Sequence, residues 1–443
     1  MEDLTLTKLA LVSRRARKDP KFQFTSLAHL LNAEFLRGCY KSIGKDKACG
    51  IDGTSWREYG ENLDENLADL VERLKARKYK PLPARRVYIP KNGKEMRPLG
   101  LPAIEDKIVQ KGIARILEAI YEVDFMDCSY GFRPKRSCHQ ALKVVNDTIM
   151  FKPVNHVIEA DIKGFFDNVS HYWMMKFLRV RIRDSSLLLL IRRFLKAGYM
   201  ESGMLVRTED GTPQGGNLSP MLANIFLHYV LDLWIVKRVQ RRIGGQCHLV
   251  RYADDFICMV QYQHSAEKLE RMLRERFKEF ELTLHPQKTR TISFGRYERQ
   301  NARRDNRRAN TFDFLGFTHY CGLSRKGRFL LGRKTSARKF RKACARINKW
   351  LKEKRVIRIS DWWPVLVSKL RGHYNYYGVS GNSQMIANFR YRTIRAVYKW
   401  LNRRGDRKSC NWKQFGAYLA RYPLPPARIV HNLYQPSPSR ETV

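Results

Sequence analysis

Two apolar runs, CHLV (247–250) and FICMV (256–260 with its leading Phe), are separated only by RYADD. So short a connection between strand-like runs leaves room for little but a tight turn, and the segment predicts strand, turn, strand. Its bend carries two adjacent carboxylates, Asp254 and Asp255. Aspartate is a common turn former, so the pair could be no more than turn chemistry. Yet like charges on neighbouring residues repel, and both flanks suit a buried sheet. Negative charge concentrated there needs a reason.

A third acid bears on that reason. Asp161 ends another apolar run, in HVIEADIKGFFDNV (156–169), just ahead of Phe165 and Phe166. Three carboxylates from two strand ends could converge on divalent cations. Mg²⁺ takes one or two carboxylates and completes its shell with substrate phosphates. Paired ions about 4 Å apart stabilise both the attacking and the leaving oxygen in phosphoryl transfer. The rest of the chain has the opposite charge: 85 Lys and Arg against 42 Asp and Glu in 443 residues, a formal +43. That excess points to a polyanion, most simply nucleic acid, bound by phosphate neutralisation and counterion release. A ribosomal-type or membrane-surface protein would share the charge. The 43% hydrophobic and 12% aromatic content implies real cores and argues against the ribosomal reading.

At about 100–200 residues per domain, two to four domains are expected. Leu63, Leu67, Leu70, Val71 and Leu74 recur at helical spacing, as do Ile104, Ile108, Val109, Ile116, Leu117 and Ile120. Between them, PARRVYIPKNGKEMRPLGLP (83–102) predicts a hairpin, and GTPQGGNLSPMLANIFLHYVLDLWI (211–235) a Gly/Pro loop opening a long apolar helix. Ser265 is a candidate cap for a helix carrying Leu269, Met272, Leu273, Phe277 and Phe280. Residues 290–358 hold 22 Lys and Arg against four Asp and Glu. Within them RYERQNARRDNRRANTFD reads as a polar loop, and the stretch around Phe340, Ala343, Ile347, Trp350 and Leu351 as an amphipathic basic helix suited to a nucleic-acid groove. The N-terminus lacks the order of a signal peptide, and the longest apolar run, LLLLI (187–191), is far short of a membrane span. Nine scattered cysteines without a CxxC pair fit a reducing compartment. A soluble, cytoplasmic protein is expected, with no membrane partner.

In order along the chain stand IPKNGKEMRPLGLPAIEDKIVQ, SYGFRPKRSCHQAL, EADIKGFFDNVSH, GTPQGGNLSPMLANIFL, RYADDF, LHPQKT and FDFLGF, covering roughly 80–320. KLRGHYNYYGVSGN (369–382) follows. On these segments the sequence resembles the group II intron reverse transcriptases, or maturases. The resemblance implies an α/β (α+β) right-hand polymerase with fingers, palm and α-helical thumb. It implies Asp161 and Asp254 as the metal-binding catalytic pair, with Asp255 in support and Ile162 in the metal set, for two Mg²⁺ (Mn²⁺ as substitute). Lys91 and Arg97 would lie on a hairpin over the incoming dNTP, and Gln214, Gly215 and Gly216 on the loop beside nucleotide and template. Phe165 or Phe166 would reject a 2′-hydroxyl, Phe166 being favoured because it directly precedes Asp167. Lys288 would stand near the departing phosphate, and Phe314, Leu315 and Gly316 would form the turn that positions the primer end.

The resemblance divides the chain into an N-terminal extension of the fingers (1–80), fingers and palm (81–330), a thumb (331–405) and a basic nucleic-acid-binding segment (406–443). The only cysteine beyond 344 is Cys410, so the cysteine- or histidine-rich endonuclease of many relatives is expected to be absent, as in the compact subclass. The expected partners are group II intron RNA, an RNA template with a DNA primer, target DNA and dNTPs. Arg14, Arg15, Arg17 and Lys18 lie outside the polymerase segments and are candidates for grip on structured RNA. The expected activity is RNA-directed DNA synthesis with assistance to splicing. A splicing-only maturase, or a polymerase that has left its intron for defence or repair, remains the alternative.

Overall fold

The computed structural model describes residues 2–92, 95–212, 215–405 and 409–435. Its centre is an antiparallel sheet in the order β6–β7–β3–β8, built from β3 (His156–Ala160), β6 (Cys247–Tyr252), β7 (Asp255–Val260) and β8 (Arg290–Ser293). Two further sheets flank it. The first is β2–β1–β4–β5, from β1 (Ala84–Asn92), β2 (Glu95–Leu101), β4 (Tyr199–Glu201) and β5 (Met204–Val206). The second is β11–β10–β9, from β9 (Thr311–Phe314), β10 (Phe317–Leu323) and β11 (Phe329–Thr335).

Side chains alternate across a strand, so a sheet with apolar residues at every position must be covered on both faces. That is what β3 and β7 do. Ile158, Ala160, Phe256, Cys258 and Val260 join a core shared with the N-terminal helices. Val157, Ile257 and Met259 join a second core with Phe312, Phe317 and Leu331. A third core, around Phe340, Ile347, Leu366, Leu370, Phe389 and Val397, holds together three long helices, Ala337–Lys354, Ile359–Tyr377 and Ser383–Leu401. The mixed helix-and-sheet architecture is that of the polymerase-like fold the resemblance implies, in whose terms the central sheet would be the palm, its surroundings the fingers and the three-helix bundle the thumb.

Several local expectations change. The stretch Glu298–Arg304 is a helix rather than loop. Its Glu298 is buried and accepts from Arg307 and from the Asn310 N–H, so a carboxylate inside organises a run that looks uniformly polar. Ser265 is not a cap, because its helix runs Gln263–Glu279 from Tyr262 and the hydroxyl donates to the Gly244 carbonyl at 2.8 Å. β11 straddles residue 331, so the thumb helices start at Ala337. The described part of 406–443 does not stand apart from them: Phe415 and Leu424 enter the thumb core.

Helix Ser219–Arg242 is long and apolar enough to cross a membrane by length and composition, although Asn224, His228 and Asp232 interrupt its apolar runs. Here it is a core helix, largely buried. It passes through two π-helical stretches, His228–Asp232 and Ile235–Val239, a wider winding that recurs near functional sites. Asp232, in the first of them, makes a two-pronged ion pair with Arg251 of β6 at 2.8 and 2.6 Å, both side chains being 0% exposed. Arg251 also donates to Asn224 Oδ1, to Ser129 Oγ and to the Ala253 carbonyl. Removing one member of such a pair strands the other's charge indoors, at about 3–5 kcal/mol. Arg251→Met is therefore expected to lower folding stability by that amount, read from the urea midpoint. An unchanged midpoint would contradict the arrangement.

Candidate active site

The sequence-predicted hairpin forms, with Tyr252 paired to Asp255 across a two-residue turn. Ala253 takes the left-handed φ of 59° that such turns require. Backbone from the Ser129–Phe132 loop is pressed against it: a Cβ on Gly131 would come within 2.3 Å of the Ala253 nitrogen. Tyr130 and Arg251 close the contact through Tyr130 N–H to Arg251 carbonyl, 2.9 Å, and Arg251 N–H to Cys128 carbonyl, 2.8 Å. The bend therefore has little freedom to shift.

Register brings the third acid alongside. Ala160 of β3 pairs with Phe256 of β7, antiparallel, so the residue after Ala160 and the residue before Phe256 leave the sheet at the same end. Those residues are Asp161 and Asp255. Asp161 is fixed through its carbonyl, which accepts the His285 N–H at 2.7 Å, and its carboxylate meets the Lys288 ammonium at 2.5 Å.

The three acids crowd one another. Asp254 has its pKa raised, first by burial and then by the negative charge of Asp161, against the pull of Arg97 and Arg251. Asp255 is raised to about 6 by the same desolvating walls and by Asp254 and Asp161, with Lys339 and Lys288 opposing. Asp255 nevertheless remains exposed at the hairpin edge. Arg97 extends this geometry to the β1–β2 hairpin, and Lys339 to the first thumb helix.

Among the described residues no three His, Cys, Asp or Glu side chains converge tightly enough to cage an ion. Asp161 and Asp254 offer two carboxylates instead of a cage, the number Mg²⁺ commonly takes when phosphates supply the rest. A divalent cation would also relieve the repulsion that raises Asp254 and Asp255. The donor set fits such an ion on both counts. Ile162 buries its side chain, and its bridge to Leu284 is closed by the Lys163 and His285 N–H groups, so only its main-chain oxygen could serve a metal.

The remaining candidates separate. Phe165 is 2% exposed and packs edge-on against Phe226, so it belongs to the core and is withdrawn as a nucleotide contact. Phe166 is half-buried, with its carbonyl accepting the Thr212 N–H at 2.7 Å. Gly215 has φ 113°, and a Cβ there would meet the Gly100 carbonyl at 2.6 Å, so its close approach is to β2. Gly216 approaches the Gln110 amide in the same way. Gln214 and the Lys91 side chain lie outside the described residues. Phe314 is buried in the second core, while Leu315 and Gly316, with φ 50° and 82°, form the β9–β10 turn. The Tyr376 hydroxyl donates to the Leu315 carbonyl at 3.0 Å, tying that turn to the thumb. Arg14, Arg15, Arg17 and Lys18 are exposed on helix Glu2–Lys18, far along the chain from these residues. Sequence reasoning passed over Ser129, Gly131, Asn224, Asp232 and Lys339. Ser129 and Gly131 stand in SYGF and Asn224 in MLANIFL, inside segments that carry the resemblance, whereas Asp232 and Lys339 lie outside them.

The family model for the reverse transcriptase (RNA-dependent DNA polymerase) matches residues 89–319, which include every acid of this site. The chain belongs to the reverse transcriptase family. It is 39% identical over 235 residues to the group II intron-encoded protein LtrA of Lactococcus lactis subsp. cremoris, covering 53% of this chain and 39% of that protein. It is 38% identical over 221 residues to protein YkfC of Escherichia coli, covering 48% and 58%. A putative COX1/OXI3 intron 1 protein of Saccharomyces cerevisiae is 34% identical over 210 residues, 47% of this chain and 25% of that one. The matches thus span less than two thirds of each relative's own length. Reverse transcriptase membership accounts for three acids at one sheet end inside a chain of charge +43.

Because Asp255 titrates near 6 rather than near the ordinary 3.8, its ionisation works against folding. The penalty is absent below the ordinary value, grows as pH rises and is complete above about 6. Asp255→Asn should therefore raise the Tm of metal-free protein at about pH 7.5 and leave it unchanged at about pH 4. An equal gain at both pH values would contradict the crowding.

Proposed function

We propose that this reverse transcriptase is an RNA-directed DNA polymerase of the group II intron-encoded kind, which binds intron RNA to assist its splicing and copies that RNA into DNA at a target site. The observation that carries the reading is the meeting of Asp161 with the Asp254–Asp255 turn at one end of the β3–β7 pair, inside the stretch that matches the polymerase family. The intron part rests on relatives named as intron-encoded proteins.

In this reading Asp161 and Asp254 hold Mg²⁺, or Mn²⁺ in its place, and Asp255 supports their field. The ions would supply charge stabilisation at the attacking primer hydroxyl and the departing pyrophosphate. Arg97, with Lys91, neutralises the triphosphate of the incoming dNTP. Lys288 holds Asp161 through its ammonium, and with a cation on that carboxylate it would be available to phosphate. Phe166 fills the space where a 2′-hydroxyl would sit. The Gly215 backbone borders nucleotide and template, and Leu315 and Gly316, pinned by Tyr376, orient the primer end.

Two assays test the polymerase. Asp254→Asn preserves shape but removes charge, so primer extension on an RNA template should fall by orders of magnitude with RNA binding nearly unchanged; extension at the wild-type rate would sink the assignment. Phe166→Ala should raise ribonucleotide incorporation, whereas unchanged selectivity would remove Phe166 from its role.

The splicing role is tested separately. Neutralising Arg14, Arg15, Arg17 and Lys18 should weaken binding to structured intron RNA and spare extension of an annealed primer, with the thermal melt unchanged. A wild-type protein that never accelerates splicing of the flanking intron, yet copies RNA, would end the maturase half of the proposal.

A further inference from the structure

The thumb carries a cavity of about 750 Å³ between helices Ala337–Lys354, Ser383–Leu401 and Trp412–Arg421. Along the middle helix, Arg392, Arg395 and Lys399 stand at i, i+3 and i+7, and Arg403 follows just past its end at i+11. At 3.6 residues per turn those positions fall within one narrow stripe, running about 16 Å along the axis. All four side chains are exposed and line the cavity, and among the described residues no Asp or Glu lines it with them. Like charges at these spacings repel and weaken a helix. Within the described bundle these cations meet rings, not carboxylates: Arg392 lies over Phe340, Arg395 over Tyr391, and Lys399 and Arg403 over Trp400, which leaves their charge uncompensated.

A second row borders the first. Tyr391 and Tyr398 stand seven residues apart on the adjoining face of the same helix. Tyr398 stacks on Trp412, centroids 3.8 Å apart and planes within 17°, so a double aromatic wall closes one side of the cavity. Trp412 remains 51% exposed and Tyr391 58%. Trp412 meets the core residue Phe415 edge-on at 5.8 Å and Tyr391 carries the Arg395 guanidinium at 5.8 Å, yet both rings keep an open face to solvent.

A ligand matching both rows must be anionic at regular intervals and carry flat, stackable groups between its charges. We propose that this cavity is a binding site for a single-stranded stretch of nucleic acid, with one or more unstacked bases against the Tyr391, Tyr398 and Trp412 rings and successive phosphates on Arg392, Arg395, Lys399 and Arg403. Cationic grooves interleaved with aromatic platforms are the general means of holding single strands. An A-form duplex would present phosphates but no free base face to the rings. The site deepens the nucleic-acid reading above and rests on it for the class of partner. None of its lining residues belongs to the carboxylate centre, although helix Ala337–Lys354 also carries Lys339.

The test uses full-length protein and labelled decamers of uridine and of thymidine, with an annealed RNA–DNA duplex as control. Lys399→Gln/Arg403→Gln changes only exposed side chains. It should weaken decamer binding about tenfold or more, and make the slope of log K against log salt shallower by about 1.4, two charges' worth for a single strand. Extension of an annealed primer–template should stay at wild-type level. A uridine decamer with one 5-iodouridine, irradiated in complex with wild-type protein, should crosslink to Tyr391, Tyr398 or Trp412. Tighter binding of the uridine decamer assigns the site to RNA, and equal binding assigns it to single strands of either sugar. Unchanged decamer affinity in the double variant, equal weakening of decamer and duplex, or crosslinks found only elsewhere would each overturn the proposal. Wild-type protein that binds the decamers at this site but extends no primer would refute the polymerase reading alone.

Discussion

The ion pair between Arg251 and Asp232 is the fixed point under the candidate active site. Neither side chain touches water, so the pair persists only because every guanidinium N–H has a partner: the Asp232 carboxylate, Asn224, Ser129 and the Ala253 carbonyl. Those partners come from three separated parts of the chain, the SYGF loop, the core helix and the hairpin turn itself. One side chain thereby fixes the bend that presents Asp254 and Asp255 to the fingers loop and the π-wound helix. A buried ion pair is poor evidence of stability, since apolar residues of equal volume often do as well. What it supplies here is position, in a turn whose two carboxylates repel each other and Asp161.

That repulsion is the second constraint. A protein free to relax would let the three acids part, as exposed acids do. β-sheet register forbids it, because Asp161 and Asp255 leave adjacent antiparallel strands at the same end. The chain answers with cations brought from outside the sheet: Lys288 on the following loop, Arg97 on the fingers hairpin and Lys339 on the thumb. The site is therefore negative at its floor and positive at its walls, the arrangement that suits a cation below and a polyphosphate above.

The parts of this legible in sequence are those set by short-range rules. RYADDF between apolar runs required a hairpin, the unbroken apolar run FICMV suited a buried sheet, and helical spacing marked the seam of the basic helix around Phe340. What stayed hidden depends on contacts distant in sequence. Nothing near Arg251 says that its partner lies 19 residues earlier in a π-wound turn. The difference in burial between Phe165 and Phe166 comes from a short 3-10 segment that sends the Phe165 ring into the core beside Phe226. Glu298 is buried within a helix where the sequence reads as a polar loop, and the described part of the segment after 405 packs on the thumb bundle because Phe415 and Leu424 enter its core.

The central claim is that Asp161 and Asp254 together hold the cations of a polymerase, and anomalous scattering from Mn²⁺ tests it most directly. Crystals of the wild-type protein with an annealed RNA template, a DNA primer lacking its 3′-hydroxyl and a matching dNTP would be measured near the manganese edge. The account predicts manganese bound by the Asp161 and Asp254 carboxylates and by the triphosphate, with Lys288 displaced from Asp161. Manganese held elsewhere, with the Lys288–Asp161 pair intact and a dNTP bound, would contradict it.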